Sequence, residues 1–97
     1  MASVSISVIS PQNAGVSFRV TVIVSGAPLG ASVTAGLSAN PGALSFGPAV
    51  QASVGVDLPF VFDVTIPTPR HVSFGTNVSD EVGTFYPGAP PKAVVVQ

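Results

Sequence analysis

The chain has 97 residues, 46% of them hydrophobic and only 7% charged, with a formal net charge of −1. That length fits one domain spanning 1–97, and the mean hydropathy of +0.63 does not make it a helical membrane protein, because serine, glycine and proline break every apolar run well short of the ~18 residues a spanning helix needs. A transmembrane barrel needs more strands than this length supplies, and Arg19, Arg70 and Lys92 are too scattered to form a basic patch for nucleic acid or an anionic membrane.

Ten glycines and ten prolines punctuate the chain, and the apolar period between them is two, so strands are expected throughout. In the opening "MASVSISVIS", Val4, Ile6 and Val8 alternate with Ser3, Ser5 and Ser7, and neither charge nor proline intervenes before Pro11. "VSFRVTVIV" predicts a strand with Val16, Phe18, Val20, Val22 and Val24 on one face. "GAPLG" at 26–30 is a turn, and "ASVTAGLS" places Val33, Ala35 and Leu37 together. "NPGALSFGP" at 40–48 reads as a loop holding a short strand at Leu44–Phe46. "AVQASVGV" aligns Val50, Ala52, Val54 and Val56, and "FVFDVTI" aligns Phe60, Phe62, Val64 and Ile66. After the break at "PTP", "RHVSFGTNV" directs Val72, Phe74 and Thr76 inward. "SDEVG" is a turn, "TFY" a short strand, "PGAPP" a stiff connector, and "KAVVVQ" closes the chain. About seven strands at spacings of roughly 8–12 residues give the rhythm of an antiparallel β-sandwich.

The run "ISPQNAGVSFRVTVIVSGAPLGASVTAGL" resembles the first three strands of bacterial and phage immunoglobulin-like or fibronectin-like domains. Pro11, Ala14, Gly15, Phe18, Val20 and Val22 carry the match, which covers the first part of the chain, the remainder agreeing by strand count. The resemblance implies an all-β, immunoglobulin-like antiparallel β-sandwich and the setting of surface display: adhesin repeats, capsid decoration proteins and tail modules. The cysteine–tryptophan–cysteine core of antibody domains is absent.

Reactive groups are sparse. His71 is the only histidine and there is no cysteine, which leaves no histidine or thiolate metal set, and no serine sits in a G-x-S-x-G elbow. Asp80 and Glu81 are adjacent acids without calcium-loop spacing and read as a polar turn. "NVS" at 77–79 matches a glycosylation acceptor. Phe18, Phe60, Phe62 and Phe74 fall on core parity, which leaves Phe85 and Tyr86 near a turn as the aromatic pair available to a glycan or protein. Neither enzyme activity nor a cofactor is expected.

The missing charges point to assembly. Serine and threonine dominate the water-facing parity, Ser53 among them, joined by apolar Ile23 and Val61. Edge strands are commonly guarded by lysine, inward charge or proline, and the opening strand has none of these. The closing strand is apolar on both parities at Val94, Val95 and Val96, as in strands covered on both faces. The candidate interface is therefore Val4, Ile6, Ile23, Val61, Phe85, Tyr86, Val94, Val95 and Val96, with a neighbouring chain expected to cover the termini. The alternative is that a hydroxyl-rich surface suffices and the terminal valines close a sheet edge.

These features predict a non-enzymatic structural subunit of a larger assembly, joined by self-contacts or by capsid or tail partners, with no nucleic acid and no membrane insertion. By resemblance the setting is a phage virion; the first residues carry no basic and apolar leader pattern, so no secretory signal is expected. The alternatives are a bacterial cell-surface module recognising protein or glycan through loops 40–48 and 79–91, or a filament subunit using strand exchange.

Overall fold

A computed structural model describes residues 2–40 and 44–97. The strands are β1 (Ser3–Ser7), β2 (Phe18–Ser25), β3 (Ser32–Asn40), β4 (Leu44–Ala52), β5 (Leu58–Val64), β6 (Arg70–Asp80) and β7 (Lys92–Val96), and no helix occurs among the described residues. They form a three-stranded sheet in the order β1-β2-β5 and a four-stranded sheet in the order β4-β3-β6-β7. Every strand pairing is antiparallel. The protein is an all-β, seven-stranded antiparallel β-sandwich.

Period-two alternation builds the core. Val20, Val22 and Val24 of β2 register against Phe62, Phe60 and Leu58 of β5, and all of them are buried. Val33, Ala35, Leu37 and Ala39 of β3 meet them from the other sheet, with Val72 and Phe74 of β6. Phe18 and Phe74 touch edge to face with centroids 6.3 Å apart, an arrangement worth about 0.5–1.5 kcal/mol beyond the area it buries. Small Ala35 and Ala39 of β3 share the core with the bulky Phe60 and Phe62 of β5, a pairing of small with large side chains that suits close packing. Phe18, Val20, Val22, Phe60, Phe62, Val64 and Phe74 thus share one core, as their parity predicts.

Three elements differ from the sequence reading. Val16 lies outside β2 and is exposed. The stretch 44–52 is a single long strand, and its pairing with β3 slips between Ala35 and Leu37, where an extra residue on β4 makes a bulge at Gly47 and Pro48. The bulge shifts the alternation by one residue, so Val50 turns to solvent and the chain leaves the sheet after Ala52, exposing Val54 and Val56. A one-residue slip moves every following side chain to the other face. Thr84–Tyr86 is no strand; the segment from Glu81 to Pro91 is an irregular connection.

The closing strand finds its cover within its own chain. Val94 and Val96 are 1% and 3% exposed, deep in the core, and Val95 is 36% exposed on the opposite face. The outer edge of β7 is occupied by the segment after β1: Gln12 N–H donates to Val95 O (2.9 Å), Gln97 N–H to Gln12 O (2.8 Å) and Ala14 N–H to Gln97 O (2.8 Å). The Ser10 hydroxyl accepts from Val95 N–H at 3.1 Å. The chain thus leaves the first sheet at Ser7, crosses at Pro11 and ends beside β7 in the second sheet. Valines on both parities are explained by this edge closure, and a neighbouring chain is not required for it.

Candidate functional site

Strand register fixes which loops share an end of the sandwich. Ser32 pairs with Ala52, Val33 with Asp80 and Val24 with Leu58, so the connections 26–31, 53–57 and 81–91 start together at one end. At the other end Ala39 pairs with Leu44 and Asn40 with Ser73; residues 41–43 are outside the described residues. Residues 45–48 and Ser79 nevertheless line one groove on the second sheet, whereas residues 81–91 start at the end shared with 26–31 and 53–57.

The shared loop end is held by a hydrogen-bond lattice. Ser53 is buried, contrary to its water-facing parity, and works as a pin: its N–H donates to Ala31 O (2.8 Å) and its carbonyl accepts from Gly30 N–H (2.9 Å). Its hydroxyl donates to Ala27 O at 3.1 Å. The Ser25 hydroxyl donates to Asp57 Oδ1 (2.8 Å), and Glu81 Oε1 accepts from Ser32 N–H (2.9 Å). Asp80 organises the third loop: Oδ1 accepts from the N–H groups of Val82 (3.1 Å) and Thr84 (3.0 Å), and Oδ2 accepts from the Tyr86 hydroxyl (2.8 Å). Partial burial raises the Asp80 carboxyl, but the donors from Thr84, Tyr86 and Gly83 outweigh it and hold it below the usual carboxylate value. Burial, then the Asp80 hydrogen bond and charge, push the Tyr86 hydroxyl up to about 12.

On this lattice sit apolar tips. Phe85 is 81% exposed and Leu29 78%, joined by the exposed Val54, Val56 and Val82. Leu29 packs toward the 53–57 loop, where a Cβ built at Gly55 would lie 3.6 Å from Leu29 Cδ1. Rigid loops that hold large apolar side chains in water are the usual form of a protein-binding surface. The carboxylates Asp57, Asp80 and Glu81 accompany them, whereas Arg70 opens β6 at the opposite end. Arg19 and Asp63 approach each other at 3.8 Å on the sheet surface with both side chains exposed, a pair of little energetic weight. No cluster of three or more potential metal ligands occurs among the described residues.

The anticipated interface residues fall in separate places. Val4 and Tyr86 are buried, as are Val94 and Val96, so none of these offers a free surface. Phe85 belongs to the loop end. Ile6 is half-buried at the β1 edge against Val22. Ile23 and Val61 share the outer face of the first sheet on adjacent strands, Ile23 opposite Pro59 and Thr21, two residues before it, opposite Val61. Val95 lies on the outer face of the second sheet, opposite His71. Sequence reasoning missed Leu29, Val54 and Val56 as surface residues; "PLG" and "VGV", each an apolar residue beside a turn-forming glycine, were the available signal.

A groove of about 470 Å³ lies on the second sheet beside the bulge, lined by Thr34, Ser38, Ser45, Asn77 and Ser79 with Phe46 and Pro48. Its lining is hydroxyl-rich and uncharged. Comparison with known proteins finds no match to a family, to a curated protein or to a solved structure.

Proposed function

We propose that this protein is a non-enzymatic structural subunit that works by docking against other protein subunits, with the loop end as its principal contact. The observation that carries the reading is the exposure of Leu29, Val54, Val56, Val82 and Phe85 together at one end of the sandwich, on loops held by buried Ser53 and by Asp80. Apolar tips on a pre-ordered lattice lose little conformational freedom on binding, which favours association by area over chemistry. The opposite end supplies a fitting partner surface: Ile9, Val16 and Leu44 are exposed there, with Arg70 to meet the carboxylates of a second copy. Such a head-to-tail contact propagates into a column.

The immunoglobulin-like reading is supported by the strand order and by the crossing of the segment after β1 between sheets. In its finer form the assembly is a virion, with the protein as a decoration or minor head or tail subunit; that setting rests on the resemblance of residues 9–37. A second reading, glycan recognition by a surface module, is favoured by the hydroxyl-lined groove on the second sheet.

The test is a double substitution, Leu29→Asp with Phe85→Asp, followed by light scattering across concentration. The wild type forms species larger than a dimer, and the variant, with its β-sheet circular dichroism intact, forms none of them. Equal association by both proteins contradicts the reading.

A further inference from the structure

The two sheets present β1, β5, β4 and β7 as edge strands, and the chain defends all but one of them. β7 is covered by Gln12 and Ala14. β4 carries the bulge at Gly47 and Pro48. β5 contains Pro59, whose carbonyl accepts from Gln51 Nε2 of β4 at 2.6 Å, so the facing edges of the two sheets are stitched together. β1 pairs with β2 alone. It has no proline, charge or bulge, and its outward N–H and C=O groups meet no other part of the described chain. An edge of this kind is a template for strand addition.

We infer that the β1 edge pairs antiparallel with β1 of a second copy, centred on Ser5. The strand reads Ser3-Val4-Ser5-Ile6-Ser7, which is the same in both directions by side-chain class. A two-fold axis at Ser5 sets Ser5 against Ser5, Val4 against Ile6 and Ser3 against Ser7 of the partner. Every polar residue then meets a polar residue on the outer face, and every aliphatic residue meets an aliphatic one on the core side. Ile6 and Val8, packed at the open margin of the core and only partly covered, gain their missing cover. The row through the junction carries no charge on the outer face, because Ser5 is flanked by Ile23 of β2 and then Pro59 of β5. The product is a six-stranded sheet with isologous symmetry, which closes at two copies.

Cysteine scanning of the full chain, which has no cysteine of its own, tests both pairing and register. Ser5→Cys places two sulfurs on the axis, with Cα atoms about 4.5–5.5 Å apart, within disulfide reach. Two copies of Ser3→Cys are separated by roughly 14 Å along the strands and cannot bridge. Under air oxidation Ser5→Cys forms dimers at least tenfold faster than Ser3→Cys or Ser7→Cys alone, and a mixture of the latter two forms the heterodimer. Equal rates for all three single variants overturn the inference. In a second arm, with Leu29→Asp and Phe85→Asp present to remove loop-end docking, Ser5→Lys and Ser5→Glu are each monomeric and an equimolar mixture restores the dimer; a mixture that stays monomeric overturns it too. Repeating the cysteine scan with Leu29→Asp and Phe85→Asp present separates this edge from loop-end docking, since the crosslinking pattern persists whether or not that docking exists.

Discussion

At the scale of single residues, Asp80 and Tyr86 tie the stability of the loop end to pH. Asp80 is held below the carboxylate value of ~3.9 that it has in an unfolded chain. Its contribution is therefore complete above about pH 4 and is lost as pH falls through its lowered value. Tyr86 is raised from ~10 to about 12. Its contribution is complete below about pH 10 and is lost as pH rises toward 12. Thermal melts should show a plateau of Tm between those limits and a decline on each side. Tyr86→Phe should lower the plateau and remove the alkaline decline, and a Tm that falls equally steeply above pH 10 in both proteins would rule this coupling out. Gly47 offers a second test. Its φ is +86°, and a Cβ there would lie 2.8 Å from Phe62 Cε1, 3.2 Å from Ala49 N and 3.3 Å from Ala35 O. Gly15 also has positive φ, +76°, but open space around it. Gly15→Ala should cost about 1–2 kcal/mol, the left-handed penalty alone, and Gly47→Ala measurably more, because the Phe62 ring must move as well. Chemical denaturation of the two variants checks the order.

At the scale of elements, β7 is the clearest case of a strand explained by its surroundings. Val94 points into the core and Val95 points out. Val94→Lys should therefore unfold the protein, as an unpaired buried charge does, whereas Val95→Lys should shift Tm by only a few degrees, as surface changes do. Far-ultraviolet circular dichroism with heating separates the two, and equal damage from both would contradict the assigned parity. β2 and β5 were legible from sequence because each alternates strictly and one face of each is fully buried. β4 was not, because Val50, Val54 and Val56 keep a regular spacing on paper while the bulge at Gly47 and the turn at Ser53 break it in space. Covering of β7 by residues 10–14 was also illegible: Ser10 and Val95 meet across 85 positions of sequence, and nothing local to either marks the other. The candidate surface was legible only at Phe85. The rest of the loop end depends on which turns share an end of the sandwich, and register alone decides that.

At the scale of the whole molecule, one sparse set of charges and one distribution of apolar side chains describe the protein's exterior. Its solvent-facing strands are rich in serine and threonine, three of its four carboxylates, Asp57, Asp80 and Glu81, gather at the loop end, and Leu29, Val54, Val56, Val82 and Phe85 are exposed beside them. Desolvating such an end requires removing few charges from water, and each large apolar side chain fully buried there contributes roughly 1.5–3 kcal/mol before the cost of association. Screening by salt should weaken the contact between carboxylate-bearing and Arg70-bearing ends only modestly, since the apolar share is larger. The central claim, that the chain is a subunit made to associate, is tested most directly by its mass in solution, measured by sedimentation equilibrium on the unmodified protein over a wide concentration range. The account predicts a weight-average mass that rises continuously above twice the monomer mass of 9.6 kDa well below ~1 mM, the weakest affinity, about 4 kcal/mol, at which such contacts would hold an assembly. A mass that stays at the monomer value throughout that range would contradict it.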